Sequence, residues 1–284
     1  MSSPLISAAE LQALLQAPTG AVLVLDASFD LADPAAGARA HAAGHVPGAL
    51  HIDLDSDLSA AKTGRNGRHP LPTREAFARR MAALGCNATT TVIAYDGQAG
   101  MYAARLWWML LWIGHAQVRV LDGGLNAWRA AGGRVDSGAV SSAAVGVMSV
   151  QTPLVASLDY ATLRAGLGSP TAPLVVDARA ADRFRGENET LDPVGGHIPG
   201  AVNRFFRDNL AADGRFKPAD QLRQEWQAVI GTRAPAALVQ QCGSGVTACH
   251  NLLALAVAGL PGSALYPGSW SEWCAQPDAP VAVG

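Results

Sequence analysis

The chain has 284 residues, of which 49% are apolar and only 15% are charged. This composition excludes a largely disordered chain, because disordered chains are rich in charge and poor in apolar residues. The 21 basic residues nearly balance the 23 acidic ones, so the chain offers no basic face for nucleic acid and no attraction to an anionic membrane. At about 150 residues per domain, the length predicts two domains.

Four cysteines are too few for a disulfide framework, and no two of them have C-x-x-C spacing. The seven histidines show no zinc-binding spacing, so no metal or other cofactor is predicted. No positive charge precedes an apolar run at the N-terminus, and the most apolar runs, 106–114 and 252–260, are shorter than the roughly 20 residues that cross a bilayer. The predicted location is a reducing cytoplasm.

Short apolar runs that end in a polar residue recur along the chain and predict buried parallel strands. They lie at Val22–Asp26, Thr91–Tyr95, Leu174–Asp177 and 237–241. The second and fourth runs each precede a glycine-containing turn and a helical pattern, at 101–113 and 247–258. This alternation predicts an α/β fold with mainly parallel sheets and helices on both faces.

Three landmarks occur twice in the same order, which indicates duplication of one domain. The strand ending at Asp26 returns at Asp177, and the Gly-His-x-Pro-Gly-Ala turn around His45 returns around His197. A glycine- and tryptophan-containing segment at 123–128 is echoed at 268–273. The predicted division is an N-terminal domain (1–138), a linker rich in Ser, Ala, Val and Gly (139–152), and a C-terminal domain (153–284).

The most informative segment places Cys242 at the carboxyl end of a predicted strand, followed by Gly243, Gly245 and a helix starting near Val246 or Thr247. Ligands of open α/β sheets bind beyond the carboxyl ends of the strands. A helix N-terminus directs N–H groups and a partial positive charge at that place, which favours a thiolate. We therefore predict a reactive cysteine rather than a buried inert one.

The loop at 242–248 resembles the active-site loop of the rhodanese superfamily of sulfurtransferases, in the form that uses mercaptopyruvate. The resemblance continues through 95–97, 105–109, 114–115, 121–124 and 268–273, and so covers nearly the whole chain. It implies two rhodanese-like domains, of which only the second carries the nucleophile. The position of Cys242 is taken in the first half by Asp96, which cannot accept a sulfane sulfur.

The resemblance implies that Cys242 takes a sulfur from a small-molecule donor as a persulfide and passes it to a thiol, thioredoxin or cyanide. Backbone N–H groups of the loop formed by Gly243, Gly245, Val246 and Thr247 suit the anionic sulfur. For proton transfer the resemblance points to three residues: Asp55 would orient His69, and His69 would relay a proton through the hydroxyl of Ser244. The first half of the chain would supply Asp55 and His69.

From the residues alone, His69 also suits an ordinary surface loop. Arg183 matches the substrate-binding arginine of the family, and an arginine can hold a carboxylate through two parallel hydrogen bonds. Family members often carry a second arginine before the second Gly-His-x-Pro-Gly turn, where this chain has the acidic stretch 189–193. Arg185 is the candidate substitute, and a solvated arginine is an equally good interpretation.

His45 and His197 are predicted to be structural, bonding the backbone of their turns. The reason is that the turn occurs in both halves, whereas only one half has a nucleophile.

A cysteine phosphatase is disfavoured, because Ala248 stands where an arginine would hold phosphate. Thiosulfate is a dianion that favours basic residues directly after the cysteine, whereas Gly243 and Ser244 are neutral and favour mercaptopyruvate. The leading prediction is transfer of sulfur from 3-mercaptopyruvate. The alternative is a thiosulfate:cyanide sulfurtransferase, and a remote alternative is a non-catalytic sulfur-binding or sensing module.

Overall fold

The computed structural model describes residues 3–16, 20–140 and 144–284. Contacts divide the chain into unit 1 (Met1–Ala60, Pro72–Leu154 and Ala212–Phe216) and unit 2 (Ala61–Leu71, Val155–Ala211 and Lys217–Gly284). The sequence predicts one division at residues 139–152, whereas the segments 61–71 and 212–216 each group with the other unit. Residues 141–143 of the predicted linker lie outside the described residues.

The described part of unit 1 contains five strands: β1 (Leu5–Ile6), β2 (Val22–Asp26), β3 (Leu50–His51), β4 (Thr91–Tyr95) and β5 (Val118–Leu121). They form a parallel sheet in the order β1-β5-β4-β2-β3. The helices are α1 (Ala8–Gln16), α2 (Ala36–Ala43), α3 (Arg74–Ala83), α4 (Ala103–Trp112) and α5 (Gly124–Ala130). Asp26 pairs with Tyr95, so β2 and β4 end at the same level of the sheet.

All residues of unit 2 are described. Its strands are β6 (Leu174–Asp177), β7 (Val202–Asn203), β8 (Leu238–Gln241) and β9 (Ala264–Leu265), paired in parallel in the order β7-β6-β8-β9. The helices are α6 (Tyr160–Gly166), α7 (Ala181–Arg185), α8 (Ala219–Ile230), α9 (Thr247–Val257) and α10 (Ser269–Trp273), with short 3-10 turns at Phe206–Asn209 and Pro235–Ala237. Asp177 pairs with Gln241, so β6 and β8 also end together. The two sheets confirm the predicted α/β fold class.

Each unit has its own apolar core, in which side chains of the strands pack against the covering helices. Burial of a large apolar side chain contributes about 1.5–3 kcal/mol to folding, so these cores supply most of the stabilisation of each unit. In unit 1 the buried cluster includes Leu11, Val24, Ile93, Tyr95 and Trp128. In unit 2 it includes Val175, Val239, Tyr266, Trp270 and Trp273.

Helices α4 and α9 are buried on nearly every side. Their sequences lack a polar stripe because neither helix keeps a face in water. Trp107 and Trp108 of α4 are 5% and 0% exposed, as expected for residues that pack. No helix within residues 3–16, 20–140 and 144–284 is both long enough and apolar enough to span a bilayer.

The two Gly-His-x-Pro-Gly turns are held in the same way. In each, the histidine Nδ1 lies 2.8 Å from a backbone carbonyl oxygen of a preceding helix, His41 for His45 and Phe184 for His197. The backbone N–H groups of His45 and His197 donate to Asp136 and to Ala282. The bond to backbone agrees with the predicted structural role, but it ties the turn to a helix rather than closing the turn on itself.

Candidate active site

Cys242 follows β8 directly and begins a short loop that leads into α9 at Thr247. Its side chain is buried, with 2% of the residue exposed. Gly245 has φ +76°, in the left-handed region that glycine adopts at little cost. This turn lets the N–H of Gly245 donate to the Cys242 Sγ at 3.2 Å, and such a donor stabilises negative charge on sulfur. Gly243, Ser244 and Val246 complete the loop.

The backbone of Cys242 is hydrogen-bonded to Ser269 and Trp270 of α10, a contact that the sequence did not predict. The N–H of Cys242 donates to the Ser269 Oγ at 3.1 Å, and that hydroxyl donates to the Tyr266 carbonyl at 2.9 Å. In return, the N–H of Trp270 donates to the Cys242 carbonyl at 3.0 Å. Ser269 has φ +54°, an uncommon conformation for a residue with a side chain. The loop is therefore held in place on both sides of the sulfur-bearing residue.

His69 and Ser244 are brought together within unit 2. Nδ1 of His69 lies 2.7 Å from the Ser244 Oγ, and both residues are buried. His69 reaches this position on the segment 61–71, which is anchored to α10 by the bond from the Arg68 N–H to the Ser271 Oγ at 3.0 Å. A hydroxyl and an imidazole at this distance can exchange a proton.

Asp55, the third residue implied for proton transfer, belongs to unit 1. Its N–H donates to the Asp53 Oδ1 at 3.0 Å, and the N–H of Ser56 donates to the same oxygen at 2.8 Å, so it lies in a tight turn. Its role in orienting His69 stays a prediction.

The two predicted anion-binding arginines have different surroundings, although both lie on α7. A Cβ added to Gly243 would lie 3.7 Å from both terminal nitrogens of Arg183, so the Arg183 guanidinium stands against the cysteine loop. Arg185 bonds to Glu187 through Nε at 2.8 Å and through Nη2 at 2.6 Å, with 42% of its side chain exposed. Of these two predicted arginines, Arg183 lies beside Gly243.

Arg183 also has a carboxylate partner that the sequence did not assign. It donates from Nε at 3.0 Å and from Nη2 at 2.8 Å to the buried Glu189. Burial favours the neutral form of Glu189, yet the bonds from Arg183 and from the N–H groups of Leu191 and Asp192 leave its pKa below the ordinary value. Glu189 is therefore an ionised partner within the acidic stretch 189–193.

Four further charged residues complete this cluster. Asp192 is 4% exposed in its side chain, bonds to Nη1 of Arg68 and lies 3.5 Å from Nη2 of Arg183. Arg179 is held by Asp177, at 2.7 Å through Nη2, and lies over the ring of Trp270 at 4.7 Å. For the pair of Arg68 and Asp192, the signal in the sequence is the acidic stretch alone, because the two residues are 124 positions apart.

The equivalent loop of unit 1 holds its own carboxylate. Asp96 is fully buried after β4, and each of its side-chain oxygens accepts two backbone N–H groups at 2.8–2.9 Å. The donors are Gln98, Gly100, Tyr102 and Ala103. Burial raises the pKa of this carboxyl, and the four N–H bonds act in the opposite direction by favouring the ionised form.

Among residues 3–16, 20–140 and 144–284, no three His, Cys, Asp or Glu side chains are grouped so that they could hold a metal ion. The site instead consists of one cysteine at the carboxyl edge of a parallel sheet, in a loop whose backbone leads into a helix N-terminus. This arrangement defines a class of α/β proteins that carry a cysteine between a parallel strand and a helix, with a backbone N–H directed at its sulfur. The profile of the rhodanese-like domain matches residues 7–131 and again residues 159–276, and the chain belongs to this family.

Named relatives match the chain over its full length. It is 49% identical over 285 residues to the "Probable 3-mercaptopyruvate sulfurtransferase" of Pseudomonas aeruginosa, covering 100% of this chain and 99% of the relative. It is 35% identical over 306 residues to "Thiosulfate/3-mercaptopyruvate sulfurtransferase 1, mitochondrial" of Arabidopsis thaliana, covering 99% and 78%. Among solved structures, the 3-mercaptopyruvate sulfurtransferase from Leishmania major matches with a TM-score of 0.84 and 29% identity, covering 95% of this chain and 74% of that one.

Proposed function

We propose that the protein is a sulfurtransferase that takes the sulfur of 3-mercaptopyruvate onto Cys242 and passes it to a second nucleophile. The observation that carries this proposal is the bond from the Gly245 N–H to the Cys242 Sγ at 3.2 Å, at the start of α9. The buried pair formed by His69 and Ser244 of that loop supplies a proton relay. The names of the relatives from P. aeruginosa and L. major support the choice of donor.

In the first half-reaction, the Cys242 thiolate attacks the sulfur of 3-mercaptopyruvate and an S–S bond forms. The C–S bond of the donor breaks, and its electron pair goes to carbon and leaves the enolate of pyruvate. The hydrogen of the donor thiol stays on the outer sulfur until the persulfide ionises. The N–H groups around Gly243, Gly245, Val246 and Thr247 suit the resulting anionic sulfur.

The enolate needs one proton to become pyruvate. Ser244 can give its hydroxyl proton to the enolate carbon and recover one from His69, because its Oγ and the imidazole Nδ1 are 2.7 Å apart. The carboxylate of the donor needs a cation, and the guanidinium of Arg183 beside Gly243 can hold it. The anionic sulfur, the enolate and the donor carboxylate are thus each assigned a group of the protein that stabilises or protonates them.

In the second half-reaction, an acceptor thiolate or cyanide attacks the outer sulfur of the persulfide. The S–S bond breaks and its electron pair returns to Sγ, which restores the Cys242 thiolate. A small thiol, thioredoxin and cyanide are the proposed acceptors.

Thiosulfate is a second candidate donor. In that reaction the thiolate attacks the outer sulfur and sulfite leaves with the electron pair, so no carbon needs a proton. The observation that favours this candidate is the presence of two guanidinium groups, those of Arg68 and Arg183, beside Gly243. The A. thaliana relative carries both donors in its name.

Steady-state sulfur transfer to cyanide, measured with each donor in parallel, tests the proposal. We expect kcat/KM for 3-mercaptopyruvate to exceed that for thiosulfate, Cys242→Ser to lose both activities, and the matched control Cys274→Ser to retain both. A faster reaction with thiosulfate would favour the second candidate. Transfer by Cys242→Ser at the wild-type rate would contradict both.

A further inference from the structure

The charges beside the cysteine loop cancel within unit 2. Arg68, Arg179 and Arg183 are matched by three carboxylates. These carboxylates are Asp177, Glu189 and Asp192, and their side chains are 0%, 4% and 4% exposed. Buried carboxylates of this kind remain paired with their cations rather than with solvent. The three arginines and the three carboxylates therefore form a cluster with no net charge before a donor binds.

Arg68 occupies the space next to the nucleophile that a side chain at position 243 would fill. A Cβ added to Gly243 would lie 2.6 Å from Nη2 of Arg68 and 3.7 Å from both terminal nitrogens of Arg183. The basic group beside the residue after Cys242 is thus supplied by the segment 61–71 rather than by the loop itself. The sequence shows a neutral loop, whereas the structure places two cations against it.

Asp192 lies between these two cations. It bonds to Nη1 of Arg68, and its second oxygen lies 3.5 Å from Nη2 of Arg183. An anion that approaches both guanidinium groups therefore also approaches a buried carboxylate. Repulsion by that carboxylate grows with the charge of the anion, so a dianion is opposed about twice as strongly as a monoanion. A mercaptopyruvate carboxylate needs one guanidinium only, whereas thiosulfate carries two negative charges.

We propose that Asp192 is a specificity-determining residue, which neutralises Arg68 and Arg183 and so disfavours dianionic sulfur donors relative to monoanionic ones. The proposal rests on the proposed function for the identity of the two donors. It assigns selection of the donor to a carboxylate outside the cysteine loop, which acts by occupying the cations that a dianion requires.

The first test compares kcat/KM for thiosulfate and for 3-mercaptopyruvate in Asp192→Asn. We expect the ratio of thiosulfate to mercaptopyruvate to rise about 10-fold, and Asp192→Glu, which keeps the charge, to stay within about twofold of the wild type. Asp33→Asn is the matched control, because Asp33 is an arginine-paired carboxylate on the surface of unit 1 and its loss should leave the ratio unchanged. An unchanged or lower ratio in Asp192→Asn would overturn the proposal.

The second test needs no turnover and so separates this proposal from the proposed function. Calorimetry measures the binding of thiosulfate and of pyruvate to Cys242→Ala, with and without Asp192→Asn. We expect the added substitution to tighten thiosulfate binding about 10-fold and pyruvate binding by less. Equal tightening for both anions, or none for thiosulfate, would overturn the role of Asp192. Absence of mercaptopyruvate turnover in the wild type would instead overturn the proposed function.

Discussion

The loops after β4 and β8 share one backbone plan and differ in the group that it holds. The carbonyl groups of Asp96 and Cys242 accept the N–H groups of Leu125 and Trp270, both at 3.0 Å. Three residues after Asp96, Ala99 has φ +58°, and three residues after Cys242, Gly245 has φ +76°. Two copies of one domain have thus kept the same turn at the same place.

The two loops differ in the side chain that accepts their backbone N–H groups. In unit 1 the carboxylate of Asp96 accepts four backbone N–H groups, so a side chain of the protein itself satisfies the donors of the loop. In unit 2 the Sγ of Cys242 takes the place of that carboxylate and accepts the N–H of Gly245. The comparison shows that one backbone turn holds a carboxylate of the protein in unit 1 and a cysteine sulfur in unit 2.

The supports behind the two loops differ as well. Gly124 has φ +57°, and a Cβ there would lie 2.2 Å from the Asp96 carbonyl oxygen, so unit 1 requires glycine. Unit 2 has Ser269 at the corresponding place with φ +54°, and its hydroxyl accepts the N–H of Cys242. The left-handed conformation costs about 1–2 kcal/mol for a residue with a Cβ, and the hydrogen bond from the Cys242 N–H to the Ser269 hydroxyl offsets part of that cost.

The largest effect is expected when the second loop receives the residue of the first. Cys242→Asp should lower sulfur transfer from either donor by at least about 10³-fold, because a carboxylate cannot form a persulfide. The reciprocal Asp96→Cys in a Cys242→Ser background should not restore transfer, which steady-state assays with cyanide can measure. Activity regained in that double variant would show that the first loop differs from the second only in its side chain.

Loss of the proton relay should have the next largest effect, and only for one donor. His69→Ala should lower kcat/KM for 3-mercaptopyruvate by about 10²–10⁴-fold, because the enolate must be protonated. Transfer from thiosulfate should change only a few-fold, because sulfite leaves without a proton. Equal losses with both donors would mean that the 2.7 Å pair of His69 and Ser244 maintains the site rather than relaying a proton.

In unit 1, loss of the Asp96 carboxylate should lower the stability of the protein and leave its activity unchanged. Asp96→Asn turns an NH₂ group towards backbone N–H donors and should lower the free energy of unfolding by about 2–4 kcal/mol. Urea unfolding gives this value, and sulfur transfer by the folded protein should stay within about twofold of the wild type. An unchanged unfolding midpoint would show that the four N–H bonds to Asp96 do not stabilise the fold.

The smallest effect concerns Ser269. Ser269→Ala keeps the strained φ but removes the acceptor for the Cys242 N–H, so it should cost about 1 kcal/mol of stability. Ser269→Gly removes the same acceptor and also relieves the strain, so it should be more stable than the alanine variant. Both should lower kcat a few-fold with little change in KM. Full activity in both would show that this bond does not position the nucleophile.

Local patterns in the sequence were sufficient for the strands and for the cysteine loop. Val22–Asp26, Thr91–Tyr95 and Leu174–Asp177 are strands as predicted, because strands covered on both faces are continuous apolar runs. Helix α9 begins at Thr247, next to the predicted loop. These features depend on residues that are close in the chain.

The ion pairs of the site could not be predicted in this way. Arg68 and Asp192 lie on segments without regular structure and meet only because the segment 61–71 packs in unit 2. The sequence predicted Arg183 as an anion-binding residue and Arg185 as a candidate second one, without a partner for either, whereas Arg183 is held by Glu189 and Arg185 by Glu187. The partner of a charged side chain depends on tertiary placement, for which neither spacing nor periodicity provides a signal.

Mass spectrometry after brief exposure to 3-mercaptopyruvate, without an acceptor, tests most directly where the sulfur is carried. No Lys or Arg follows Arg233, so one tryptic peptide holds Cys242, Cys249 and Cys274, and fragment ions must locate the added sulfur. We predict a gain of about 32 Da at Cys242. No gain is expected at Cys86 or Cys274, since burial raises the pKa of each thiol to about 11. An added sulfur on Cys86, or the same gain in Cys242→Ser, would contradict the assignment of the nucleophile to the second loop.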